Sequence, residues 1–149
     1  MTDKAGIVRL TRVAHVRGLR LARAAEAARL EHEAAERQRE DAHQALARHE
    51  ALTIEARAMF VHDPACPQAR MWLDHSVAQM AARADALIEA ESNVDHAARA
   101  RAEAVHVVAR HQVRSDRIAA HHDGLRRIDR LQAEMRAELD VPVQAARSW

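Results

Sequence analysis

Small and apolar residues recur every three and four positions along nearly the whole chain. Upstream of residue 62 the spacing runs Leu10, Ala14, Arg17, Leu21, Ala24, Ala28, Glu31, Ala35, Gln38, Ala42, Ala45, His49, Leu52, Ala56, Met59. Downstream it runs Leu73, Val77, Met80, Ala84, Leu87, Glu91, Val94, Ala98, Arg101, Val105, Val108, Gln112. A heptad rhythm of this kind predicts helices that pair along one seam. The strong break is His62-Asp63-Pro64-Ala65-Cys66-Pro67. Two prolines three apart cannot both lie inside a helix without losing backbone bonds, and Cys66, preceding one, is pushed out of the helical region. Pro67 suits the first position of a new helix.

The expectation is one all-α domain over 1–149, an antiparallel coiled-coil hairpin. Helix 1 spans about 5–62, the turn 63–66, helix 2 about 67–139 and the tail 140–149, with Val141-Pro142 ending helix 2. At 1.5 Å per residue the helices would be roughly 80 and 105 Å long. Helices of that length need a partner face, because propensity alone does not hold them. The large residues shift phase near Ser115, to Ile118, Leu125, Ile128, Met135 and Leu139, which reads as a stammer. If residues 62 and 67 face each other, residue 7 faces about residue 122. The stripe beyond it would then be an unpaired overhang: a binding face, or a surface that packs back or pairs with a second copy.

Composition narrows the fold class. Ala supplies 35 of the 149 residues, while Phe, Trp and Tyr number one, two and none. Sheets and compact cores need bulky, β-branched and aromatic residues, so sheet folds are excluded. Ala, Leu, Arg, Glu and Gln are strong helix formers, which argues against disorder. No stretch approaches the roughly 18–20 apolar residues of a membrane span. No apolar leader follows Met1–Ala5, and the expected location is the cytoplasm.

The net charge of +1 is unevenly placed. Residues 1–29 carry seven basic and two acidic side chains, and residues 108–149 carry eight and six. Residues 30–63 carry four and eight, and residues 64–107 four and six. Folded once, the chain would hold about +7 at the end with both termini and about −6 at the turn end. Such polarity either orients a charged partner or simply solvates the helices.

Candidate chemistry is sparse. The chain has eleven histidines, none spaced i, i+3 or i+4 from another, so no helix face pairs two of them as metal ligands. His32-Glu33-Ala34-Ala35-Glu36 departs from the zinc-peptidase pattern at its last position. Cys66 is the only cysteine, which excludes an internal disulfide. No metal, cofactor or catalytic residue is expected. Arg9, Arg12, Arg17, Arg20 and Arg23 form a basic stripe without stacking aromatics, a weak basis for nucleic-acid binding. The same segment, with Ile7, Val8, Leu10, Val13, Val16 and Leu19, could lie on anionic lipid. Trp72 either caps the seam against Met59 and Phe60 or anchors a partner at the turn end.

The length, the early break, the Arg70-Met71-Trp72-Leu73 start of helix 2 and the charged ending Leu125-Arg126-Arg127-Ile128-Asp129-Arg130-Leu131 carry a family resemblance. The chain resembles the FliJ/YscO (SctO) stalk proteins of flagellar and injectisome type III secretion, more the injectisome branch. The resemblance implies a non-enzymatic stalk, cytoplasmic and peripheral to a membrane-embedded secretion apparatus. Its partners would be a hexameric export ATPase, an export gate protein and substrate chaperones, with no nucleic acid and no membrane span. On that reading the ATPase would be met by Arg9, Arg12, Arg17, Arg20, Leu125, Arg126, Arg127, Ile128, Arg130 and Met135. The gate would be met by Trp72, Leu73, Val77 and Met80. A generic dimerising coiled coil, or a nucleic-acid or membrane-surface binder using the basic end, are the competing expectations.

Overall fold

The computed structural model describes the backbone of residues 4–145 and the side chains of residues 6–139. The fold is an all-α helical hairpin of two elements, α1 (Lys4–His62, 59 residues) and the longer α2 (Pro67–Ala145, 79 residues). The described residues include no strand.

Local chemistry builds the turn. The Asp63 amide closes the last turn of α1 by donating to the Met59 carbonyl at 3.1 Å. The Cys66 amide donates to the Asp63 carbonyl at 3.2 Å, which makes Asp63–Cys66 a β-turn with Pro64 at its second position. No described residue has a positive φ, so the turn is type I, a geometry for which proline's fixed φ is preset. Arg70 then donates to the Cys66 carbonyl at 3.2 Å, so Cys66 is the N-cap of α2. Pro67 follows at the first helical position, where its missing N–H costs nothing.

Contacts group the chain into two compact units. The first joins Met1–Ala22 with His106–Trp149, and the second is Arg23–Val105. In the second unit the inward positions of α1 are Ala25, Ala28, His32, Ala35, Ala42, Leu46, His49, Thr53, Ala56 and Phe60. Those of α2 include Ala69, Leu73, Ser76, Met80, Leu87, Ala90, Val94, Ala97 and Ala104. Arg39, Arg83 and Arg101 fall on the same beat yet stay exposed, as a long side chain on a narrow seam can.

This seam corrects the one read from the sequence. Half of the expected positions hold, among them Ala28, Ala35, Ala42, His49 and Ala56. The other half move by one residue. Arg17, Leu52 and Met59 are exposed while Gly18, Thr53 and Phe60 turn inward, and Val77, Glu91, Val105 and Gln112 yield to Ser76, Ala90, Ala104 and His111. The physical reason is size: the helices close most tightly on alanine and hydroxyl side chains, and larger seam residues such as Leu46, Phe60, Leu73, Met80 and Leu87 stay half-buried. The most enclosed residues are all small, with Ala56 at 0%, Thr53 at 4%, Ser76 and Ala69 at 5% exposure. Each buried methyl contributes on the order of 0.8 kcal/mol, so pairing energy accumulates thinly along the length. The Thr53 hydroxyl donates to the His49 carbonyl at 2.8 Å and lies 3.4 Å from the Ser76 carbonyl, which satisfies a polar group in the tightest stretch.

In the first unit Ala14, Gly18 and Leu21 of α1 turn inward, with Val108, His111, Ser115, Ile118, His122, Leu125 and Asp129 of α2. That run keeps a 4-3-4-3 rhythm past residue 115, so the expected stammer is absent. Val105 and Gln112 lie one residue off the seam, and Ala104 and His111 carry it in phase. Inward positions also persist to Asp129, seven residues beyond the expected start of the overhang. The helix does not stop at Val141-Pro142 but continues to Ala145. One proline removes a single backbone bond and kinks a helix before it ends one, and Gln144 and Ala145 beyond it favour helix.

Candidate functional site

Close approach at Gly18 organises the first unit. A Cβ at Gly18 would sit 3.2 Å from His111 Nε2, and that nitrogen lies 2.9 Å from the Ala14 carbonyl oxygen. A carbonyl only accepts, so Nε2 carries the proton and donates. The imidazole thus bridges from α2 to the backbone of α1, in space that glycine leaves open.

Beside this bridge lies a cleft of about 260 Å³ lined by Arg17, Leu21, Val107, Arg110, His111 and Arg114. Three guanidinium groups border it and no carboxylate does. Arg17 and Leu21 also border a second, larger hollow of about 590 Å³ with Arg12, Val13, Val16 and Arg20. The two hollows are therefore neighbours across Arg17 and Leu21: a cationic cleft beside an apolar groove with an arginine rim. No acidic residue occurs between Lys4 and Ala25, so nothing on this stretch of α1 neutralises the arginines. The nearest α2 carboxylate in sequence, Asp116, accepts from Gln112 Nε2 at 2.9 Å.

The residues assigned to an ATPase partner all belong to the first unit. Arg9, Arg12, Arg17, Arg20, Arg126, Arg127 and Arg130 are exposed. Leu125 is half-buried on the seam, while Ile128 and Met135 are 52% and 62% exposed. Leu131 and Leu139, at 54% and 72%, join them, so Ile128, Leu131, Met135 and Leu139 form an apolar stripe spaced i, i+3, i+7, i+11. Every residue from 130 to 139 is exposed.

The residues assigned to a gate partner belong to the second unit, and they divide. Leu73 and Met80 are half-buried at seam positions, Trp72 is half-buried beside them, and Val77 is 42% exposed. The exposed apolar side chains near the turn are instead Met59, Val61 and Met71. An open hollow of about 410 Å³ adjoins the turn, between Ala58, Met59, His62, Asp63, Cys66 and Ala69.

Elsewhere in the second unit, Arg29 binds two carboxylates of its own helix. It donates to Glu26 at 2.6 and 2.9 Å and to Glu33. The Arg29 hydrogen bond holds the Glu26 carboxyl below its ordinary value, and Glu26 in turn raises the guanidinium. His32 Nδ1 is buried without a hydrogen-bond partner, 3.8 Å from Glu36. Among the described residues no three His, Cys, Asp or Glu side chains are grouped to hold a metal ion, and no helix is long and apolar enough to cross a membrane.

Sequence reasoning passed over His111, Arg110 and Arg114. The signal was present: Gly18 is the only glycine between residues 7 and 61, and Arg110, Arg114 and Arg117 share one helix face at i, i+4 and i+7.

No family model, no curated protein and no solved structure matches the chain.

Proposed function

We propose that this chain is a non-enzymatic stalk of a type III secretion apparatus, binding the hexameric export ATPase with its first unit and linking it to the export gate and to substrate chaperones. Two things support the reading: the resemblance of sequence pattern to the FliJ/YscO stalks and the helical hairpin. The observation that carries the ATPase assignment is the exposed stripe Ile128, Leu131, Met135 and Leu139, bordered by Arg126, Arg127 and Arg130. An apolar row flanked by guanidiniums suits a partner surface that offers apolar contact beside carboxylates. The work of such a protein is contact, so it would perform no chemistry, and it would act in the cytoplasm beside a membrane-embedded machine.

The test is capture by the cognate export ATPase, comparing the full chain with a chain ending at residue 122 and with Ile128→Ser/Met135→Ser. The reading expects both changed proteins to lose most of the capture while keeping their helical circular dichroism. Equal capture by all three would remove the assignment.

The same stripe favours a second reading, in which it pairs with another copy of the chain. A stable dimer at low micromolar concentration in light scattering, abolished by Ile128→Ser/Met135→Ser, would support a dimerising coiled coil over a stalk.

A further inference from the structure

The geometry points to a phosphate-binding site in the first unit, formed by Arg17, Arg110 and Arg114 around His111. Guanidinium groups are planar, permanently charged and able to donate two parallel hydrogen bonds to the oxygens of one phosphate. Here they come from both helices onto one cleft of about 260 Å³ that no carboxylate borders. Arg110 already engages another group, so Arg17 and Arg114 carry most of the argument. His111 is not a free ligand: its Nε2 proton is committed to the Ala14 carbonyl. Its role is to hold α2 against Gly18, which fixes the spacing between Arg17 on one helix and Arg114 on the other.

The surroundings extend the chemistry. Arg17 and Leu21 border both the cleft and the neighbouring groove with Val13 and Val16. A phosphate carried on an apolar body would place its charge in the cleft and its apolar part in the groove. An anionic lipid headgroup has that form, and a free phosphate compound would use the cleft alone. The site shares Arg17 with the ATPase assignment but does not rest on the stalk reading, since Arg110 and Arg114 take no part in that assignment and the probes contain no ATPase.

The test uses the full-length chain and two probes. Titration calorimetry with inorganic pyrophosphate reads the cleft. Flotation with vesicles of phosphatidylcholine, with and without phosphatidate, reads the lipid source. Arg17→Gln/Arg114→Gln should weaken pyrophosphate binding by about tenfold or more, the usual effect of losing charge-assisted hydrogen bonds. The exposed pair Arg83→Gln/Arg99→Gln of the second unit should leave it unchanged. Flotation only with phosphatidate, lost in Val13→Ser/Val16→Ser while pyrophosphate binding persists, assigns a lipid headgroup. Pyrophosphate binding without flotation assigns a free phosphate compound to the same cleft. Absence of binding to both probes overturns the site. So does equal binding by the two arginine-pair variants, or binding to a single-stranded oligonucleotide that matches pyrophosphate and survives Arg17→Gln/Arg114→Gln.

Discussion

Single residues on this chain matter according to the space they have. Gly18 and Gly124 both sit inside helices, where alanine is preferred by roughly 0.8–1 kcal/mol. Around Gly124 a new methyl would meet nothing within 4 Å, so Gly124→Ala should stabilise the chain by about that amount. At Gly18 the methyl would press on His111 Nε2 at 3.2 Å, and the imidazole must shift against its bond to Ala14. Gly18→Ala should therefore gain less than Gly124→Ala in urea denaturation, and equal gains would mean that the His111 bridge is absent. Charge gives a second case. Arg29 lowers the Glu26 carboxyl below its reference value of 4.5, so the pairing favours the folded state at higher pH. That contribution is complete above the reference value and is lost as pH falls through the lowered one. The melting temperature of the wild type should exceed that of Glu26→Gln at neutral pH, by a small margin because the pair is exposed, and the two should converge in acid.

Pairing of the elements depends on which residues face inward. The helices and the place of the turn were legible because their signals are local: two prolines and long runs of helix formers, whereas the turn type and the Cys66 cap appear only in the structure. The seam was half legible. Counting large residues placed Leu52, Met59, Val77 and Val105 inside, whereas the structure encloses Thr53, Phe60, Ser76 and Ala104. Alanine occurs on every face of both helices, so hydropathy alone cannot choose between neighbouring registers one residue apart. Close packing of small side chains makes that choice, and the sequence carries it only weakly, in Gly18 and in the Thr53 and Ser76 hydroxyls. A cross-link separates the two registers. With Cys66→Ser as background, Thr53→Cys/Ser76→Cys should oxidise to an intramolecular disulfide, since the Thr53 hydroxyl lies 3.4 Å from the Ser76 carbonyl. Leu52→Cys/Val77→Cys, both exposed, should form it far more slowly. Faster closure of the second pair would restore the sequence-read seam.

At the scale of the molecule, charge divides as the packing does. The first unit holds 13 basic and 7 acidic residues, and the second 10 and 15. The asymmetry was visible in the sequence as runs of like charge. The cationic cleft was not, because it needs Arg17 and Arg114 to meet across 97 residues of chain. The apolar stripe from Ile128 to Leu139 was legible, since it lies on one helix and needs no partner to be recognised. A stalk that occupies the axis of a six-fold ring has one place to stand, so the proposed role sets a stoichiometry. Native mass spectrometry of the cognate export ATPase with an excess of this chain tests it most directly. The stalk reading predicts one chain bound to each hexamer. Six chains per ring, two chains per ring, or a hexamer that takes up none would contradict it.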